Sequence, residues 1–387
     1  MDAVYRDTWT EINLDYIAEN IRSIKGILPQ NQHLIAVVKA NAYGHGDEQV
    51  ARVAVEEGAD MLAVAFLDEA IALREKGIQQ PALVLGAVSP MHIEAASCHN
   101  IRFTMYSVEW LREAVKQCAN LQTPFYVHLK VDTGMGRLGI RSKRELEEIL
   151  QLLQNNPNIV LEGVFTHFAT ADELNSEKYN VQYESFKETV TYLAERGVCP
   201  PYIHCANSAA LLRFPHETFN TVRLGIAMYG LSPSMEMKKV LPVTLKEAFS
   251  LHSRLVHVKR VHKGDTISYG ATYQAEGDEW IGTVPIGYAD GWIRRMQNFQ
   301  VLVDGHFVPI VGRVCMDQLM VKLPKKYPIG EKVTLIGEQA GKQISIDDVA
   351  GHLQTINYEI PCMISYRVPR LFIRHGQQWG RTNYLLS

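Results

Sequence analysis

The sequence predicts an α/β protein: an N-terminal (β/α)8 barrel followed by a C-terminal, mostly β domain. Two observations carry this reading. Over about 200 residues, eight short apolar runs alternate with amphipathic helical stretches. That alternation fits a parallel barrel better than an open doubly wound sheet. After Pro242 the apolar period changes to two, as in antiparallel strands.

Residues 12–28 place Ile12, Tyr16, Ile17, Ile21, Ile24 and Leu28 at helical spacing and stop at Pro29. The apolar runs follow at 34–39, 61–66, 82–87, 101–106, 125–131, 159–166, 202–206 and 221–227. Helix-like segments at 67–75, 108–119, 143–154 and 177–196 lie between them. Residues 230–243, with Pro233 and Pro242, mark the junction. The first domain is therefore expected over 1–240 and the second over 241–387, with an N-terminal strand free to join the second. In the second domain, strands are expected at 249–262, 280–285, 301–303, 311–316 and 332–336, and one helix at 346–353 with Ser345 as N-cap.

Composition narrows the function. A chain of 387 residues has room for one large domain and a smaller one. The net charge of −3, with bases and acids interspersed, offers no electrostatic footprint for nucleic acid. There is no run of about 18 apolar residues to cross a membrane. The N-terminus, MDAVYRDTWTEINLD, is acidic and lacks the layout of a signal peptide, which points to the cytoplasm. Six cysteines without C-x-x-C or zinc-ligand spacing read as small buried side chains, and no metal is expected.

The most informative segment is LIAVVKANAYGHG, residues 34–46. Lys39 ends an apolar, β-branched run, and in a parallel barrel the C-terminal strand ends carry the chemistry. A lysine facing a pocket there is desolvated, which lowers its pKa and makes it nucleophilic. Such an amine suits an aldehyde cofactor, pyridoxal phosphate above all. Alone, Lys39 reads as readily as a strand-end lysine reaching water.

VVKANAYGHG resembles the cofactor-lysine signature of alanine racemases. RLGIAMYG (223–230), ISYGATY (267–273) and GRVCMDQ (312–318) resemble the same family, in the same order, and together the four segments span most of the chain. The resemblance implies a pyridoxal-phosphate-dependent isomerase that interconverts L- and D-alanine and supplies D-alanine for peptidoglycan. It implies a homodimer with shared active sites, Lys39 coming from one chain and Tyr269 and Met316 from the other.

The resemblance also assigns roles. Lys39, Tyr43, His167, Asn207, Ser208, Arg223, Gly225, Ile226 and Tyr358 are implied to bind the cofactor. Tyr43, Ser208, Gly225, Ile226 and Tyr358 would take its phosphate. Asn207–Ser208 and Gly225–Ile226 follow the seventh and eighth runs, where a barrel places a phosphate site; Ser208 also reads as the N-cap of SAALLR. Arg223 would donate to the pyridine nitrogen and leave it unprotonated, since an arginine does not give up its proton. That weakens the electron sink and limits side reactions. Without the other motifs, Arg223 would read as a barrel-end salt bridge.

Racemisation removes a proton from one face of Cα and returns it on the other, so it requires two acid/base groups. The resemblance gives these roles to Lys39 and Tyr269. A tyrosine, with a pKa near 10, needs a polarising network to act as a base, and His167 and His204 are candidate partners through Arg223. Each histidine alone reads more simply as structural. Arg137 and the backbone at Met316 would bind the substrate carboxylate. Lys130 is carbamylated in many members; unmodified beside Arg137 it would form a like-charge pair, and a plain salt bridge stays open. Tyr288, Arg313, Asp172 and Ile356 would line the entrance, with Tyr358 favouring a methyl side chain. One or two methylenes are worth only about 1–3 kcal/mol of discrimination. The alternatives are a broader serine or basic amino-acid racemase, a decarboxylase of the same fold, and a non-enzymatic cofactor-binding barrel.

Overall fold

The computed structural model describes residues 5–119 and 121–386, which divide into two compact units. One comprises Ile17–Ala42 and Asp47–Lys246; the other comprises the described residues through Tyr16, Tyr43–Gly46 and those from Glu247 on.

The first unit is an eight-stranded parallel sheet rolled into a nearly closed barrel. Its strands are β1 (His33–Val37), β2 (Met61–Val64), β3 (Ala82–Val84), β4 (Ile101–Met105), β5 (Phe125–Lys130), β6 (Ile159–Phe165), β7 (Tyr202–His204) and β8 (Thr221–Leu224). Consecutive strands pair from β1 to β7, and β8 pairs with β1. At the seam between β7 and β8, the Arg223 amide donates to the Ala206 carbonyl at 3.0 Å. Each expected run coincides with one strand, which stops short where the next turn begins; the first strand also starts one residue early, at His33. After β2, for example, the amides of Ala65 and Phe66 already donate to the Glu69 carboxylate of the following helix, Leu67–Glu75. Helix Lys143–Gln154 starts at Ser142, whose hydroxyl accepts from the Glu145 amide while Glu145 reaches back to the Ser142 amide. These reciprocal bonds satisfy donors that a helix start leaves open.

The turn after β1 is unusual. Ala40, Asn41, Ala42 and Tyr43 all have φ between 51° and 54°, a left-handed turn without a glycine. L-residues resist this conformation by about 1–2 kcal/mol each. The turn is held by Ala42 N–H to Val38 O at 2.9 Å, Ala40 N–H to Glu69 Oε1 at 2.7 Å and Asp47 N–H to Asn41 Oδ1 at 3.0 Å. Such strain persists where surrounding structure over-determines it, commonly at functional sites.

The second unit is built on an eleven-stranded sheet. Strand Thr8–Asn13 lies inside it, antiparallel to Phe249–Arg254 and parallel to Arg370–Arg374. Ile12, expected in the first helix, therefore belongs to this strand, and the helix runs only over Leu14–Lys25. The run expected at 249–262 is two strands, Phe249–Arg254 and His257–Val261. Between them, Leu255 donates to Glu331 O and Val256 to Thr283 O, redirecting the chain. No strand spans 311–316: His306–Val311 ends where Gly312 takes φ 69°, and residues 312–316 form a loop. Helix Ile346–Leu353 with its Ser345 cap occurs as expected.

Candidate active site

The C-terminal ends of the barrel strands gather most of the singled-out polar residues of the first unit. Lys39 stands half-buried two residues past β1, at the start of the left-handed turn. Arg223 lies on β8, only 3% exposed. Its Nη1 donates to His204 Nδ1 at 2.9 Å and His204 O at 3.0 Å. Its Nη2 faces Thr166 O at 2.9 Å, Cys205 O at 3.1 Å and His167 Nδ1 at 3.2 Å. The Nε–H has no partner among the described residues. Burial lowers the guanidinium to about 10, so it stays charged at neutral pH. His167 and His204 are held well below the usual histidine range by burial and then by the Arg223 charge, so both are neutral.

Past β7, Asn207 rather than Ser208 caps helix Ser208–Arg213, its side chain accepting from Ala210 N at 3.0 Å. This corrects the expected cap and frees the Ser208 hydroxyl, which accepts from the Gly225 amide at 2.9 Å. Ser208, Gly225 and Ile226 are thereby brought together, and all three are buried.

Lys130 ends β5 and is 4% exposed. Its ammonium sits over the Phe165 ring at 5.2 Å, and Arg223 flanks the same ring at 5.5 Å. Burial, Arg223 and Arg137 together lower Lys130 to about 7. The loop after it is closed by Ile140 N–H to Lys130 O at 3.0 Å and carries Arg137, which is exposed. Asp172 is half-buried beyond β6.

In the second unit, the Tyr43 and Tyr358 rings lie 6.2 Å apart. Tyr269 is 70% exposed at the tip of the Thr266–Gln274 hairpin, and the Ser268 hydroxyl before it donates to Arg313 O at 2.6 Å. Gly270 lies so close to the Arg313 guanidinium that a Cβ there would be 3.0 Å from Nη1. Tyr269 and Arg313 are thus on touching loops. The carbonyls of Cys315 and Met316 accept from the amides of Tyr288 and Ala289, both at 3.0 Å, which joins Tyr288 to Met316. Met316 and Ile356 are exposed.

The descriptions of the matching sequence families are "Alanine racemase, N-terminal domain", over residues 12–233, and "Alanine racemase, C-terminal domain", over residues 248–372. The alanine racemase of Geobacillus stearothermophilus is 58% identical over 375 residues, covering 97% of this chain and 96% of that protein. The chain belongs to the alanine racemase family. Alanine racemase 1 of Bacillus subtilis is 51% identical, covering 99% of this chain and 97% of its own. The crystal structure of the Bacillus anthracis alanine racemase with bound L-Ala-P superposes with a TM-score of 0.96 at 52% identity, covering both chains fully. A histidine racemase from Leuconostoc mesenteroides has a TM-score of 0.90 but only 31% identity, covering 96% of this chain and all of its own. Family membership makes the chain an isomerase, and the relatives favour neither a broader racemase nor a decarboxylase.

Sequence reading missed a set of polar residues inside the barrel: Arg102 on β4, His128 on β5 and Glu162 on β6, all buried. The signal is present, because each interrupts a mostly apolar strand, and buried charges are rare unless paired.

Proposed function

We propose that this protein interconverts L- and D-alanine on pyridoxal phosphate by a two-base mechanism. The observation that carries the reading is the hydrogen bonding of Arg223. Four of its five N–H groups are committed to protein acceptors, and the remaining Nε–H is the kind of permanent donor that an unprotonated pyridine nitrogen requires. The residues therefore fit the cofactor. Ser208, Gly225 and Ile226 would take the phosphate in the barrel, with Asn207 and His167 beside them. Tyr43 and Tyr358 keep the phosphate role that the resemblance assigns them.

When bound, pyridoxal phosphate supplies an electron sink for the Cα–H bond. Lys39 Nζ would hold the cofactor by its aldehyde and serve as the proton acceptor or donor on one face of Cα, with Tyr269 Oη serving on the opposite face. Arg223 keeps that sink modest by never releasing its proton. Arg137 and the Met316 backbone hold the substrate carboxylate, and a carbamylated Lys130 would neutralise and orient Arg137. Tyr358 favours a side chain as small as a methyl group, and Tyr288, Arg313, Asp172 and Ile356 line the approach.

We assign Tyr269 and Met316 to the partner subunit's site in a homodimer. The exposure of both side chains supports this reading. The product would feed peptidoglycan synthesis in the cytoplasm. The deciding experiment is borohydride reduction of purified protein followed by peptide mapping, with racemisation of alanine assayed in parallel. Lys39 should carry the cofactor, and Lys39→Ala should lose both the linkage and nearly all turnover. A reducible, lysine-linked chromophore surviving in Lys39→Ala would refute the assignment.

A further inference from the structure

Beneath Arg223, the barrel interior holds four more polar side chains in single file. His204 accepts from Arg223 Nη1 at its Nδ1, 2.9 Å away. Its Nε2 lies 2.9 Å from His128 Nδ1, and His128 Nε2 lies 3.2 Å from Glu162 Oε2. Arg102 closes the file with a two-pronged contact, Nε to Oε2 at 2.9 Å and Nη2 to Oε1 at 3.0 Å.

Hydrogen-bond chemistry permits one assignment of the protons along this file. Both arginines can only donate, and an ionised carboxylate can only accept. Burial works against the Glu162 charge, but His128 and Arg102 more than offset it and hold the carboxyl down at about 2. His128 must therefore carry its proton on Nε2, toward Glu162, and present a lone pair at Nδ1. That lone pair accepts from His204 Nε2–H, which leaves His204 Nδ1 as the acceptor for Arg223. Turning either ring over would put carbon atoms where Nδ1 and Nε2 make these bonds, and stacking holds each ring in its plane. His128 stacks on Tyr202 at 5.8 Å and 19°, and His204 on Phe165 at 4.7 Å and 7°.

We propose that Glu162 is a positioning residue for the racemase reaction: its carboxylate, pinned by Arg102, fixes the tautomers of His128 and His204 so that Arg223 always meets an acceptor and keeps its free N–H directed at the cofactor nitrogen. The proposal rests on the reading of Arg223 as the partner of that nitrogen. With the carboxylate gone, the His128 proton loses its anionic acceptor at Nε2, and only the donor character of Arg223, two rings away, still favours that tautomer. The opposite tautomer sets His204 Nδ1–H against Arg223 Nη1–H, and two donors facing each other displace the guanidinium. Losing the outer partner that orients a metal-bound histidine typically costs about 10- to 100-fold, and a loss of that order is expected here.

The test uses holoenzyme with nitrogen-15 labels in histidine and in the cofactor ring. In the wild type, His128 and His204 should both be neutral with the proton on Nε2. Glu162→Gln should give mixed tautomers at His204, a shifted ring-nitrogen resonance and a kcat lower by about 10- to 100-fold, with KM within about twofold. Glu162→Asp should restore part of each. His128→Leu cuts the file while leaving the Glu162–Arg102 pair intact, and it should shift the ring nitrogen in the same way; it serves if Glu162→Gln does not fold. An unchanged His204 tautomer or an unchanged ring-nitrogen resonance in these variants overturns the proposal. Arg223→Lys separates the two readings. If it shifts the ring nitrogen and Glu162→Gln does not, the file is wrong; if Arg223→Lys leaves the ring nitrogen unmoved, the Arg223 reading itself fails.

Discussion

Arg223 and His204 are joined twice, because the guanidinium Nη1 donates both to the ring Nδ1 at 2.9 Å and to the His204 carbonyl at 3.0 Å. One side chain is thus fixed by the ring and the backbone of a single residue, across the seam between β7 and β8. The contact requires a lone pair on Nδ1, and the environment enforces it: burial, reinforced by the arginine's own charge, keeps His204 well below the ordinary histidine range. A permanently charged donor and a permanently neutral acceptor make an arrangement that pH cannot reverse near neutrality.

Arg223→Glu tests what that permanence achieves. An acid at this position can hold a ring nitrogen protonated, which strengthens the electron sink. Racemisation should fall and transamination rise, and a new long-wavelength absorbance should appear when alanine is added. Absence of that absorbance in folded, cofactor-loaded variant would show the electronic argument to be wrong.

Lys130 should behave as an amine titrating near neutrality. The folded chain holds it at about 7 against the ordinary 10.5. Between those values the unfolded chain binds the proton and the folded one does not, so this group's contribution to stability grows with pH across that window. The neutral amine is also the form that reacts with carbon dioxide. Enzyme prepared in labelled bicarbonate should therefore show a carbon-13 carbamate signal that increases as pH rises through about 7, and Lys130→Ala should abolish it. A signal that persists in Lys130→Ala would place the modification elsewhere.

Gly163→Ala should be costly although the side chain added is a single methyl. A Cβ at 163 would lie 2.4 Å from His128 Nδ1 and 2.6 Å from its Cε1. The ring has little room to retreat, being stacked on Tyr202. Overpacking of this kind costs about 1–3 kcal/mol, which should appear as a lower denaturation midpoint at unchanged m-value. A midpoint equal to wild type would mean that His128 is mobile.

How much of this was legible in sequence follows from the range of each interaction. The helix over Leu67–Glu75 and the Ser345 cap are local, set by residues within one or two turns, and were read at their observed bounds. The eight barrel strands are legible because each lies in a mostly apolar run, but their ends are overrun, since the turn-side contacts come from beyond the run. A turn after β1 is legible from Asn41, Gly44 and Gly46, but its left-handed conformation at 40–43 is not, because none of those four residues is a glycine and Glu69 holds the turn from outside. The Arg102–His128–Glu162 file was hidden for a deeper reason. Its members sit on three different strands, and only the register of β4, β5 and β6 brings them into one line. The strand Thr8–Asn13 likewise depends on partners more than 200 residues away.

The shared-site reading makes the most discriminating prediction. Lys39 and Tyr269 are assigned to different subunits, so Lys39→Ala and Tyr269→Ala homodimers should each be almost inactive, every site lacking one base. When the two are mixed in equal amounts and subunits exchange freely, half of the dimers become heterodimers. Each heterodimer has one site missing both bases and one site with both intact, by the two-fold symmetry of the pair. The mixture should therefore recover roughly a quarter of wild-type activity. If both bases came from a single chain, no combination of these subunits would rebuild a complete site. Zero recovery with subunit exchange demonstrated by mass spectrometry would eliminate the shared site while leaving the two-base chemistry intact.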